Sequence, residues 1–144
     1  MEAQKKKVLI IDDETLISRM YERAFRFEGF DVVTAGSGKI GLEKAKETKP
    51  DVILLDIMMP QMSGLVVLDI LKTDAELKSI PVLIITNSTE TEDARQAVAK
   101  GAKDYLIKSQ FKPREVVNKV REALGMATVV IRETLQEETD TSSF

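Results

Sequence analysis

The chain has 144 residues, 43% hydrophobic and 31% charged, with a formal net charge of −3. That length suffices for one domain with a well-buried core, and the slight acidity advertises no nucleic-acid surface. Cysteine and histidine are both absent, which excludes disulfides, thiolate nucleophiles, zinc–cysteine sites, an imidazole base and a phosphohistidine on this chain.

In chain order, short apolar runs alternate with longer segments of helical spacing. Val8-Leu9-Ile10-Ile11 reads as a first strand. Leu16, Ile17, Met20, Tyr21, Ala24 and Phe27 mark one face of a first helix, with Gly29 as its left-handed cap. Residues 31–34 form a second strand, and Ser37 caps a second helix that stops near Pro50. Residues 52–55 form a third strand, followed by a helix striped by Leu65, Leu68 and Leu71. Residues 82–85 form a fourth, followed by a helix striped by Ala94, Ala97 and Val98 that Gly101 ends. Residues 105–107 form a shorter fifth strand. Pro113 then opens a last helix carrying Val116, Val117, Val120 and Leu124.

Runs this short and this apolar are expected to be buried on both faces. Five βα units in succession predict an α/β fold: a parallel sheet in a three-layer sandwich with right-handed crossovers. The predicted domain spans residues 1–124. Residues 125–144 remain as a tail: Val129, Val130, Ile131 and Leu135 could extend a helix or dock on a partner, and residues 136–144 are acidic, Ser/Thr-rich and expected to be disordered. No apolar run approaches the ~20 residues of a membrane span. The charged residues 1–7 lead into no signal-peptide core, so the expected place is the cytoplasm, with no membrane contact.

In open parallel sheets, ligands gather at the carboxyl ends of the strands. The first strand ends in Asp12-Asp13-Glu14, the third in Asp56, the fourth in Thr86-Asn87-Ser88 and the fifth in Lys108-Ser109. Taken singly, each has a plain reading. Asp12 and Asp13 could cap a helix, Asp56 could belong to a turn, Thr86 could be an ordinary strand-end hydroxyl and Lys108 a solvated lysine. Together they make a set. Clustered carboxylates repel and call for a cation. Mg²⁺ suits oxygen ligands and keeps several waters. Carboxylates, a metal and an ammonium are what phosphoryl transfer needs. Without cysteine or histidine, an aspartate is the natural covalent acceptor.

Four stretches carry a family likeness. Val8-Leu9-Ile10-Ile11-Asp12-Asp13-Glu14 resembles the opening of response-regulator receiver domains of two-component signalling. So do Pro50-Asp51-Val52-Ile53-Leu54-Leu55-Asp56-Ile57-Met58-Met59-Pro60 with Gly64, Ile80-Pro81-Val82-Leu83-Ile84-Ile85-Thr86, and Gly101-Ala102-Lys103-Asp104-Tyr105-Leu106-Ile107-Lys108. The likeness covers roughly residues 7–124 and is to receivers of the single-domain type. It implies a flavodoxin-like (βα)5 fold with strand order 2-1-3-4-5, an order known for flavodoxin and a chemotaxis receiver.

It also implies roles. Asp56 would take a phosphoryl group from a phosphohistidine on a sensor histidine kinase or phosphotransfer protein. Asp12, Asp13 and Asp56, with the backbone carbonyl of Met58, would hold Mg²⁺. Lys108 and Thr86 would contact phosphoryl oxygens, and Tyr105 would turn inward as Thr86 moves. The surface of the fourth helix, fifth strand and fifth helix would then recruit a downstream protein or a second copy of the chain, with no direct contact to nucleic acid. Self-phosphotransfer and autodephosphorylation would be the only reactions.

Two positions depart from the family pattern. Asn87 stands where relatives carry a small residue, which bears on phosphoryl lifetime. Ser109 stands where relatives carry a proline after a cis peptide. The Lys108–Ser109 bond is therefore expected either to be trans, displacing Lys108, or to be cis at ~2.5–4 kcal/mol.

Three other readings compete for the same residues. An aspartyl phosphatase would want a second acid two positions after the first, where Met58 stands. A flavin or nucleotide binder would want a Gly-rich loop after the first strand, where Asp12-Asp13-Glu14 stands. A degenerate, docking-only receiver would lack some of the acidic set.

Overall fold

The structure is a computed structural model and describes residues 5–128. The proposed helical extension at Val129, Val130, Ile131 and Leu135, and the disorder expected over 136–144, fall outside the described residues.

Five strands and five α-helices alternate: β1 (Lys7–Ile11), α1 (Thr15–Phe27), β2 (Asp31–Ala35), α2 (Gly38–Thr48), β3 (Val52–Leu55), α3 (Gly64–Thr73), β4 (Val82–Thr86), α4 (Thr91–Ala99), β5 (Asp104–Ile107) and α5 (Pro113–Ala123). All strand pairs are parallel, and the sheet order is β2-β1-β3-β4-β5. This is the predicted flavodoxin-like arrangement.

Side chains alternate across the sheet and build two cores. Leu9, Ile11, Ile53, Leu55 and Ile84 face α2, α3 and α4 through Ala45, Val67, Leu68, Leu71 and Ala97. Val8, Ile10, Val52, Leu54, Leu83 and Ile85 face α1 and α5 through Tyr21, Phe25, Val116, Val117 and Val120. β3, central in the sheet, is fully buried along its length. Burying one such Val, Leu or Ile side chain is worth about 1.5–3 kcal/mol, so the strands that carry the acidic residues form a rigid floor.

Local signals behave as the sequence predicts. Ser37 accepts the Ile40 N–H at 3.2 Å and caps α2. Gly29 takes a left-handed φ of 91° after α1, and Gly101 takes 100° after α4. Pro113 opens α5.

Two helix faces need correction. In α1 the buried residues are Ser18, Tyr21 and Phe25, while Leu16 is 81% and Phe27 90% exposed and Met20 is also exposed. A 13-residue helix carries two offset apolar stripes here, and periodicity alone cannot say which one meets the sheet. In α4 only Ala97 is buried; Val98 points outward at 65% exposure. At the far end, Met126 packs on the α1–α5 core.

Candidate functional site

Strand register gathers the acidic residues. Ile11 pairs with Leu55, so the residues that follow them, Asp12 and Asp56, stand side by side. The ladder continues through both: the Asp12 N–H donates to Ala35 O at 3.0 Å, and the Asp56 N–H donates to Ile11 O at 2.9 Å. Thr86 pairs with Ile107, which places Lys108 just beyond the fourth strand's end. Asp12, Asp56 and Thr86 are buried, whereas Asp13 is exposed.

Lys108 is the hub. Its Nζ lies 2.8 Å from Asp12 Oδ2, 2.7 Å from Glu14 Oε1 and 2.9 Å from Asp56 Oδ2, and its side chain is only 6% exposed. Burial pulls its pKa down, but the carboxylates of Asp12, Glu14 and Asp56 outweigh burial and hold it well above the ordinary lysine value. The ammonium therefore stays charged. Among the described residues no peptide bond is cis, so Lys108–Ser109 is trans, and Lys108 reaches Asp56 nonetheless. A short 3₁₀ turn over Lys108–Gln110 carries it there.

The carboxylates are held from behind. Asp12 Oδ1 accepts the Glu14 N–H at 2.9 Å, and Asp56 Oδ1 accepts the Met58 N–H at 2.9 Å. Burial first, and the charge of Asp56 last, push the Asp12 carboxyl above the usual range; Lys108 and the Glu14 amide oppose this. Gly64 makes the loop after β3 feasible. A Cβ there would overlap the Asp56 carbonyl and Ile57 Cα, while its N–H donates to Ile57 O at 3.0 Å. Helix α3 thus starts in direct contact with the backbone of Asp56.

The residues present fit a hard cation. Carboxylate oxygens of Asp12, Asp13 and Asp56 all lie within 4.8 Å of one another. Asp12 Oδ2 is buried and accepts no aligned hydrogen bond; the Lys108 ammonium is near it as a charge but off the hydrogen-bond line. An anionic oxygen so placed lacks part of its compensation, and a divalent ion would supply it. The Met58 side chain is exposed and only its backbone faces the cluster, through the N–H already described.

Beyond β4, Ser88 joins the site to α4. Its N–H donates to Thr86 Oγ1 at 3.3 Å, its Oγ donates to Asp93 Oδ2 at 2.6 Å, and its carbonyl accepts the Tyr105 hydroxyl at 3.1 Å. Tyr105 is half-buried, and burial chiefly raises its phenol pKa. Asn87 is exposed. The sequence set thus converges, and Glu14, as a partner of Lys108, and Ser88 join it, two strand-end residues for which the sequence suggested no role. Only the position of Glu14 directly after Asp12-Asp13 could have drawn attention to it.

A family model for the response regulator receiver domain matches residues 8–121. The chain belongs to the response-regulator receiver family. Among curated relatives, the DNA-binding response regulator MtrA of Mycobacterium tuberculosis is 36% identical over 124 residues, 86% of this chain and 53% of that protein. The probable transcriptional regulatory protein TcrX of the same organism is 38% identical over 131 residues, 89% of this chain and 55% of that protein. The chain spans about half the length of the curated relatives it matches.

Among solved structures, chemotaxis protein CheY4 of Vibrio cholerae superposes with a TM-score of 0.77 at 30% identity, covering 83% of this chain and 98% of that one. A CheY-like receiver from Methanospirillum hungatei gives 0.79 at 27% identity, covering 85% and 95%. Residues 8–121 are thus the receiver domain of a two-component response regulator.

Proposed function

We propose that Asp56 is the phosphoacceptor of this receiver and that a sensor histidine kinase or phosphotransfer protein is its donor. The observation that carries the assignment is the pairing of buried Asp56 with the Lys108 ammonium at 2.9 Å, beside Asp12 and Asp13. A carboxylate oxygen of Asp56 bonds to phosphorus as the phosphorus–nitrogen bond of the donor's phosphohistidine breaks and imidazole leaves. Water later attacks the same phosphorus, releasing inorganic phosphate and restoring the carboxylate. Asp12, Asp13 and Asp56, with the Met58 carbonyl, would hold Mg²⁺, which when bound neutralises charge on the phosphoryl oxygens. Lys108 supplies fixed positive charge to the same oxygens. These self-directed steps are the only chemistry we assign, with residues 1–124 as the working unit in the cytoplasm.

Thr86 donates its hydroxyl to a phosphoryl oxygen. Turning toward the phosphoryl group takes Thr86 Oγ1 from the Ser88 N–H, and Ser88 also holds Tyr105 and Asp93. The chain Thr86–Ser88–Tyr105 therefore passes the event to α4 and β5. The α4–β5–α5 face, where Val98 is outward, engages the downstream partner or a second copy of the chain. Asn87, exposed beside Thr86, sets how readily water reaches phosphorus. No membrane contact is proposed: among the described residues no helix is long and apolar enough to cross a membrane. MtrA is a DNA-binding regulator; for residues 1–124 of this chain we assign protein partners only.

Incubation with Mg²⁺ and acetyl phosphate tests the assignment. The intact mass should rise by one phosphoryl group in the wild type and stay unchanged in Asp56→Asn. The same rise in that variant would remove Asp56 from the role.

A further inference from the structure

Among the described residues β5, which leads into Lys108, pairs with β4 alone and forms an edge of the sheet. The ladder thus steadies the start of Lys108 from one side only, and a lysine side chain is long and rotates freely. A further contact must hold the ammonium at Asp56. Three carboxylates surround it, and they are not equivalent. Asp12 Oδ2 lies off the hydrogen-bond line, and Asp56 is the group that the ammonium attends. The shortest contact, 2.7 Å, is to Glu14 Oε1.

We infer that Glu14 is a positioning residue whose carboxylate holds Lys108 over Asp56 throughout phosphoryl transfer. This rests on Asp56 as the phosphoacceptor proposed above and says what keeps the ammonium in place there.

The backbone of Glu14 is pinned on both sides. Its N–H donates to Asp12 Oδ1 at 2.9 Å, and its carbonyl accepts the Ser18 N–H at 2.9 Å in the first turn of α1. Its side chain is free for the task. Glu14 stands at the N-cap of α1, yet makes no capping bond there; its carboxylate goes instead to Lys108, 94 residues along the chain. At 48% exposure, that carboxylate adds its charge without the desolvation cost of a third buried acid.

The chemistry singles out the same residue. Phosphorylation turns one Asp56 oxygen into the bridging oxygen of an acyl phosphate, a weaker acceptor than a carboxylate. A bound cation would draw on Asp12, Asp13 and Asp56. Of the three partners of Lys108, Glu14 alone stands outside both events. The ammonium can then pass from Asp56 Oδ2 to a phosphoryl oxygen while Glu14 keeps hold of it.

Lysine ammonium resonances in metal-free, unphosphorylated protein test the contact. The Lys108 ammonium should give a slowly exchanging nitrogen–proton signal that shifts and exchanges faster in Glu14→Ala. Lys72, held by the carbonyls of Lys78 and Ile80, should give the same signal in both chains. Acetyl phosphate with Mg²⁺ tests the consequence. Glu14→Ala should lower the maximal phosphorylation rate roughly tenfold, with little change in the half-saturating donor concentration. In a Lys108→Met background the same substitution should change nothing, because no ammonium remains to be positioned. A Lys108 signal indifferent to Glu14 would overturn the proposal. So would a rate that Glu14→Ala leaves unaltered or raises. Equal slowing in both backgrounds would overturn it too, by reducing Glu14 to a negative charge at the start of α1. Should Asp56→Asn still take up the phosphoryl group, the Asp56 assignment fails by itself, and the Lys108 signal still decides the role of Glu14.

Discussion

Lys108 carries the electrostatic balance of the site, since three carboxylates converge on one nearly buried ammonium. Removing it leaves Asp12 and Asp56 buried beside one another without a counter-charge. Lys108→Met should therefore cost about 3 kcal/mol in Mg²⁺-free buffer, read from urea unfolding. Mg²⁺ should raise the stability of this variant more than that of the wild type, because a ligand that binds only the folded state stabilises it by mass action. Equal Mg²⁺ stabilisation of the two proteins would contradict the view that metal and ammonium share the same carboxylates. Phosphorylation by acetyl phosphate should slow roughly 10²-fold in the variant, the usual loss for one preorganised charge donor. Tyr105→Phe is a milder change. It deletes the bond to Ser88 O and should cost about 1 kcal/mol, while shifting the amide resonances of α4.

Gly64 shows how an element positions Asp56, the proposed phosphoacceptor. Its missing Cβ lets α3 begin against the Asp56 carbonyl and Ile57. Gly64→Ala should destabilise the fold by about 1–3 kcal/mol or more, since backbone rather than a flexible side chain blocks the methyl group. Thermal unfolding measures this, and an unchanged midpoint would mean the loop yields freely. Strand ends were legible in the sequence because parallel strands share a direction, so Asp12, Asp56, Thr86 and Lys108 had to meet at one edge. The outward stripe of α1 was not, because Leu16, Met20 and Phe27 repeat with the same helical period as the buried Tyr21 and Phe25. Glu14 and Ser88 were not legible as partners either. Their contacts depend on loop backbone and rotamer choices that no spacing encodes.

Among the described residues the sheet lies buried between two cores, with the Asp12, Asp13 and Asp56 cluster at one edge. Ser88 bonds to Asp93 in the first turn of α4, and α4, with Ala97 alone buried, has the fewest buried residues of the five α-helices. Beryllofluoride, a mimic of the phosphoryl group, should perturb α4 and Tyr105 and, where the partner is a second copy, raise the sedimentation coefficient. Unaltered spectra across that face would contradict the coupling. The central claim concerns a single side chain, and borohydride tests it most directly, because hydride reduces an acyl phosphate to an alcohol with release of phosphate. After treatment with Mg²⁺ and acetyl phosphate, peptide mapping should find homoserine at position 56 alone. Homoserine at Asp12 or Asp13 in place of position 56 would contradict the assignment of Asp56.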